Sequence, residues 1–168
     1  FDVGNVLFNY NPHHIIKSVL PNTPYGQLYL DCLFNAPIWQ SMDRGDYSSQ
    51  HAVSLLKDQY QLTQSQSDDL LRLILEFPRY LTLVTGMRRL FCALAKKYPI
   101  YILSNFQDQP FQLLTQLYPF LSRANAHIIS GAVKMKKPEL GIYHYLINQY
   151  GLLPEQCLFI DDLEANIQ

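Results

Sequence analysis

Apolar residues in this chain come in two kinds of run, and the order of the two predicts an architecture. One kind is short and uninterrupted: Leu158-Phe159-Ile160 stops at Asp161-Asp162, and Phe1 stands directly before Asp2 and Gly4. Residues 100–103, ending at Ser104-Asn105, and residues 126–129 are of the same kind. Short apolar runs bounded by turn residues read as buried strands of a parallel sheet. Phe1-Asp2 reads as the end of a strand, with residues 3–11 leaving it. The other kind recurs at helical spacing. Ala52, Val53, Leu55, Leu56 and Tyr60 predict a helix over 48–61, with Asp46, Ser48 or Ser49 as its cap. Leu70, Leu71, Leu73, Ile74 and Leu75 predict one over 63–77 that opens at Thr63. Met87, Leu90, Phe91 and Leu94 predict one over 85–97, whose Lys96 and Lys97 suit the negative end of the helix dipole. Helices are also expected over 110–117, with proline in the first turn, and over 139–150, stopping at Gly151.

Helices and strands therefore alternate from about Thr85 onward, as in a parallel α/β sheet. Residues 12–80 interrupt that alternation with helical or irregular sequence and no convincing strand. The expected fold is a Rossmann-like parallel sheet flanked by helices. Residues 1–11 and 81–168 form its core, and an all-helical cap, residues 12–80, is inserted after the first strand. The chain opens on the end of one strand and stops soon after another, so further residues are expected at both ends.

Composition narrows the partners. The 168 residues are 48% hydrophobic and 16% charged, enough for a sizeable core. A net charge of −1 without a basic run gives no case for nucleic acid. No apolar stretch reaches the roughly 18 residues of a membrane span, so no membrane partner is expected. Cys32, Cys92 and Cys157 are far apart and lack a CxxC, which fits reduced thiols in a cytoplasmic protein.

The candidate chemistry lies at the predicted strand ends. In open α/β sheets ligands bind beyond the carboxyl ends of the strands. Asp2, Ser104-Asn105 and Asp161-Asp162 all fall there. A hydroxyl and backbone N–H groups at Ser104-Asn105 suit phosphate oxygens. Asp161 and Asp162, buried side by side, repel unless a cation or donors compensate, and carboxylate oxygens suit Mg²⁺. Lys137 stands apart from Lys134 and Lys136 because Pro138 restricts its backbone, and Pro138 is expected to open the following helix. An ammonium there offsets the charge of a nucleophilic carboxylate and of a phosphate. The set points to phosphoryl transfer on a small phosphorylated substrate.

The order acid, hydroxyl, lysine, acid pair resembles the four motifs of the haloacid dehalogenase superfamily. Phe1-Asp2-Val3-Gly4-Asn5-Val6-Leu7 looks like its first motif and Leu103-Ser104-Asn105 like its second. Lys137-Pro138 looks like its third, and Phe159-Ile160-Asp161-Asp162 with Asn166 like its fourth. The helical insert resembles that superfamily's type-1 cap. Within the superfamily the chain is most similar to FDxGNV sugar-phosphate phosphatases of the glucose-1-phosphate phosphatase type. The resemblance implies that Asp2 attacks phosphorus and forms an aspartyl-phosphate. It implies that Ser104 and the Asn105 backbone hold the phosphoryl group and that Lys137 offsets charge. Asp2, the Gly4 carbonyl, Asp161 and Asp162 are the implied Mg²⁺ site.

Gly4 departs from the usual pattern, in which a second aspartate two residues after the nucleophile serves as general acid and base. General acid–base help is worth on the order of 10²–10⁴-fold. His13 and His14 are candidates to replace it, whereas Asn9 and Asn11 offer no carboxylate. Trp39, Met42, Asp43, Arg44 and Asp46 form the densest mixed cluster of the cap. They are candidates for contact with the leaving group as well as for cap core and turn. Two other readings share the fold. One is a 2-haloacid dehalogenase, whose aspartate attacks carbon and needs no metal. The other is a catalytically degenerate binding protein.

Overall fold

Phe1 and Asp2 lie at the centre of the α/β part of this computed structural model, which describes residues 1–167. On one side is β3 (Tyr101–Ser104): Phe1 N donates to the Tyr101 carbonyl at 2.8 Å, and Leu103 N donates to the Phe1 carbonyl at 2.9 Å. On the other, Asp2 N donates to the Ile160 carbonyl at 2.9 Å. β4 (Ala126–Ile129) continues the sheet beyond β3 as a parallel neighbour, in the register Tyr101↔Ala126 to Ser104↔Ile129. The spatial order is thus residue 160, residues 1–2, β3, β4, and the architecture is the expected parallel α/β one.

Two predicted strands are less regular than expected. Residues 1–2 and 157–160 form no ladder: a ladder needs consecutive bonded pairs, and among the described residues the Asp2 N bond to the Ile160 carbonyl is the one backbone link between the two segments. Leu158 was expected inside and is 84% exposed, joining neither apolar cluster. Phe159 packs edge-on against Tyr143, and Ile160 packs against the main core.

A short antiparallel pair ties off the helical insert. β1 (Phe8–Asn9) pairs with β2 (Thr82–Leu83), so the chain leaves and re-enters the sheet side by side. Two-residue strands carry no readable alternation. Between them stand α1 (Pro12–Val19), α2 (Gly26–Tyr29), a π turn (Leu30–Phe34), α3 (Pro37–Arg44), α4 (Ser49–Tyr60), α5 (Gln64–Glu76) and a 3-10 turn (Phe77–Tyr80). The predicted caps account for two of these boundaries. Ser48 accepts from His51 N, and Thr63 and Gln66 form a reciprocal capping box.

After β2 come α6 (Thr85–Leu94), α7 (Asp108–Leu117), α8 (Ser130–Val133) and α9 (Leu140–Tyr150). α6 is shorter than predicted. Lys96 N and Lys97 N bond three residues back, to Ala93 and Leu94, so both lysines lie in a tightened turn beyond the helix. Pro138 does not open α9. The Lys137–Pro138 bond is cis, Glu139 N closes a turn onto the Lys136 carbonyl, and the helix starts at Leu140.

One apolar cluster runs from the helical insert into the sheet. It joins Ile15, Leu70, Leu73, Ile74 and Phe77 to Val3, Leu7, Phe8, Ile102 and Leu114. Leu103, Ile128 and Ile142 form a second beneath α9. Each such side chain contributes roughly 1.5–3 kcal/mol by leaving water. Polar bonds also pin the end of α3 to the segment after β4. The Ser130 hydroxyl donates to the Asp43 carbonyl at 2.5 Å, Arg44 pairs with Glu139, and Lys134 donates to the Gly45 carbonyl. No helix among the described residues is long and apolar enough to cross a membrane.

Candidate active site

Parallel strands bring their carboxyl ends to one edge, and that edge collects the predicted residues. Asp2, Ser104 and Lys137 are 7%, 1% and 2% exposed. Lys137 Nζ lies 2.9 Å from Asp2 Oδ1 and 2.5 Å from Asp161 Oδ2, and 5.2 Å from the centre of the Phe159 ring. Burying an ammonium is costly unless it is paired; here it joins two carboxylates drawn from opposite ends of the sequence. Its backbone is clamped as well. Lys137 N donates to Asn105 Oδ1 at 2.8 Å, and Asn105 Nδ2 donates to the Lys137 carbonyl at 2.9 Å. The Asn105 side chain, which drew no role in the sequence, positions the lysine.

The two partners of Lys137 titrate in opposite directions. Burial pushes the Asp2 carboxyl above the usual range, and Lys137 and the Ser104 hydroxyl only partly offset it. Burial also acts to raise Asp161, but donors outweigh it and hold that carboxyl below the usual range. Those donors occupy both oxygens: Lys137 Nζ on Oδ2, and Leu163 N (2.9 Å) with Asn166 Nδ2 (2.8 Å) on Oδ1.

Asp2, Asp161 and Asp162 each place one oxygen within 4.8 Å of the others. Asp162 is exposed and accepts from Asn5 Nδ2 at 3.3 Å. Gly4 lines the same pocket, and nothing lies within 4 Å of where a Cβ would stand. Packing therefore does not force glycine at that position.

The pocket in front of these groups encloses about 190 Å³. Its polar side is Asp2, Gly4, Asn5, Asn105, Lys137, Asp162 and Asn166. Tyr10, Trp39, Phe77 and Phe106, in ring contact with one another, line the pocket as well, as do Leu163 and Asp43. The mixed cluster of the cap divides accordingly. Trp39 and Asp43 face the pocket, Met42 is buried, Asp46 is exposed, and Arg44 is engaged with Glu139. His13 and His14 are exposed on α1 and are not among the pocket residues. Tyr10, Phe77 and Phe106 were not singled out from the sequence, where aromatic residues are spread along the whole chain.

No family model matches the chain. It is 23% identical to the drimenol cyclase drtB of Aspergillus calidoustus, over 99% of its own length and 30% of that protein. It is 22% identical to the sesquiterpene phosphatase astK of Aspergillus oryzae, over 99% of its own length and 81% of that protein. Among solved structures, a variant of the HAD family enzyme bt-2542 from Bacteroides thetaiotaomicron, in complex with magnesium and inorganic phosphate, superposes with a TM-score of 0.75. That match has 20% identity and covers 98% of this chain and 84% of the other. The L-2-haloacid dehalogenase of Xanthobacter autotrophicus superposes with a TM-score of 0.61 at 18% identity, covering 92% of this chain and 64% of the other. At these identities the likeness establishes the fold.

Proposed function

We propose that this chain, which has the haloacid dehalogenase fold with an all-helical cap after the first strand, is a Mg²⁺-dependent phosphatase. It would act on a small phosphorylated metabolite through an aspartyl-phosphate. The observation that carries the reading is the buried Lys137 between Asp2 and Asp161, facing a pocket whose polar residues cluster at the strand ends. Residues 1–11 and 81–168 serve as the catalytic core, and residues 12–80 as the cap over it.

Asp2 is the nucleophile: it lines the pocket, and the paired ammonium favours its charged form against the effect of burial. Ser104 and the backbone N–H of Asn105 hold the phosphoryl oxygens, and Lys137 offsets their charge. These roles are positioning and electrostatics, which dominate phosphoryl transfer. Oxygen donors of this kind fit Mg²⁺, and Asp2, the Gly4 carbonyl and Asp162 would hold it. Bound there, the metal supplies positive charge beside the phosphate. Asp161, with both oxygens already engaged, positions Lys137 instead.

The apolar wall of Tyr10, Trp39, Phe77 and Phe106 favours an apolar leaving group over a sugar. A name such as sesquiterpene phosphatase on one relative agrees with this. The dehalogenase reading draws support from the fold of the Xanthobacter enzyme. Asp2 and Asp162, whose oxygens lie close enough to share one cation, favour the phosphatase, because attack on carbon needs no metal.

The test is a screen of phosphate monoesters, sugar phosphates beside long-chain alkyl and prenyl phosphates, with Mg²⁺ and with EDTA. Mg²⁺-dependent phosphate release that is lost in Asp2→Asn is expected. Release that survives Asp2→Asn would overturn the mechanism. Halide release from 2-haloacids in EDTA, with no phosphate release, would favour the other reading.

A further inference from the structure

With glycine at position 4, the end of the first strand supplies no second carboxyl beside the nucleophile. The pocket nevertheless contains one from the cap. Asp43 lies one residue before the end of α3, four residues after Trp39, which puts both on one helix face, and both line the pocket that holds Asp2 and Lys137. Its backbone is fixed, because the Asp43 carbonyl accepts from the Ser130 hydroxyl. Its carboxyl has no ion-pair partner within 4.0 Å among the described residues.

The groups that face Asp43 come from three other parts of the chain: Tyr10 after β1, Gln107 before α7 and Lys136 before α9. The Tyr10 hydroxyl and both polar atoms of the Gln107 amide are buried without a hydrogen-bond partner, and Gln107 is only 5% exposed. Buried polar groups are nearly always satisfied, so three orphaned atoms around one carboxyl call for a partner that the chain does not supply. Gln107 is near enough to favour the charged carboxylate without making a well-formed bond to it. Burial pushes the Asp43 carboxyl up to about 8, and Gln107 and Lys136 offset it only in part.

We propose that Asp43 is the proton donor to the leaving oxygen, supplied by the cap in place of the carboxyl missing at position 4. The inference rests on the phosphatase reading. In the first step a carboxylate oxygen of Asp2 bonds to phosphorus and the ester P–O bond breaks. The Asp43 proton passes to the departing oxygen, leaving an alcohol and the Asp43 carboxylate. In the second step water attacks phosphorus, the Asp2–phosphate bond breaks, and the proton lost by that water returns Asp43 to its acid form. Products are the alcohol and phosphate, and both carboxyl groups end as they began. Tyr10 and Gln107 flank the acid, and Tyr10 lines the pocket beside it.

The experiment compares first-turnover leaving-group release from an alkyl phosphate, whose alkoxide needs a proton, and from p-nitrophenyl phosphate, whose phenolate does not. In Asp43→Asn the alkyl rate is expected to fall by about 10²-fold or more, and the p-nitrophenyl rate by at least tenfold less. Asp43→Glu should restore part of the alkyl rate. An equal loss on both substrates would overturn the proposal. Wild-type protein supplies a readout that needs no variant. Its kcat/KM for the alkyl ester should decline as pH rises through about 8, and a profile flat through that region would also overturn it. Wild-type protein without any Asp2-dependent phosphate release would instead refute the phosphatase reading itself.

Discussion

Replacing Lys137 by methionine keeps most of the side chain's volume and removes the ammonium that joins Asp2 to Asp161. The lysine side chain is 1% exposed, and its partners' side chains are 10% and 0% exposed. Water cannot take over its role. Breaking a buried pair by removing one partner costs about 3–5 kcal/mol, a large share of the ~5–15 kcal/mol that holds a typical domain folded. The sign of the pH dependence follows from the two carboxyls. Asp161, depressed in the folded wild-type protein, stabilises it above the ordinary carboxylate pKa and loses that contribution as pH falls through its folded value. Methionine removes its principal donor. Asp2, already raised by burial, rises further once Lys137 no longer offsets it. A group raised on folding binds more protons in the folded state, so its contribution falls as pH rises. Both effects make the deficit larger near neutral pH than near pH 4, by about 1.4 kcal/mol for each unit of pKa change. Urea denaturation in EDTA, followed by the fluorescence of the single tryptophan, Trp39, measures it. A deficit below about 1 kcal/mol, or one equal at both pH values, would refute the argument, because neither outcome is compatible with two buried carboxylates that have lost their shared cation.

Two further outcomes follow from the same geometry. Gly45 ends α3 with φ of +79°, and a Cβ there would run into the Gly131 carbonyl. Gly45→Ala should destabilise the protein by more than about 1 kcal/mol and loosen the seat of Asp43, seen as a lower melting temperature and faster amide exchange in α3. Magnesium should raise the melting temperature of wild-type protein by binding the folded state. In Asp162→Asn, which loses one charged oxygen of the Asp2–Asp161–Asp162 group, a shift equal to wild type would show that Asp162 is not a ligand.

Much of the site was legible because its logic is local. A carboxylate at the end of an apolar run lies at the end of a strand, and parallel strands end on a common edge, so Asp2, Ser104 and Asp161 had to approach one another. Helices declared themselves through apolar spacing and through side chains that act within one turn, such as Ser48 and the Thr63–Gln66 box. Illegible features were those that depend on distant neighbours. The β1–β2 pair is two residues long on each side, too short for any alternation. Leu158 looked like strand core, yet the clusters that receive Phe159 and Ile160 do not extend to it. Asp161 and Asp162 were indistinguishable as neighbouring acids; donors from Lys137, Leu163 and Asn166 engage both oxygens of the first, and the second is exposed.

Asp43 shows the same division within the cap. Its place in the chain put it beside Trp39, Met42 and Arg44 in the cap, and nothing in the order of residues told which of them would face the pocket. That depends on how α3 is rotated about its axis and set against the sheet. Bonds to Ser130, Lys134 and Glu139, roughly ninety residues further along the chain, determine it. Local sequence decides which backbone groups a residue can satisfy, so it specifies elements and their ends. The direction a helix face points is a property of long-range packing, and with it goes the identity of the carboxyl that reaches the pocket.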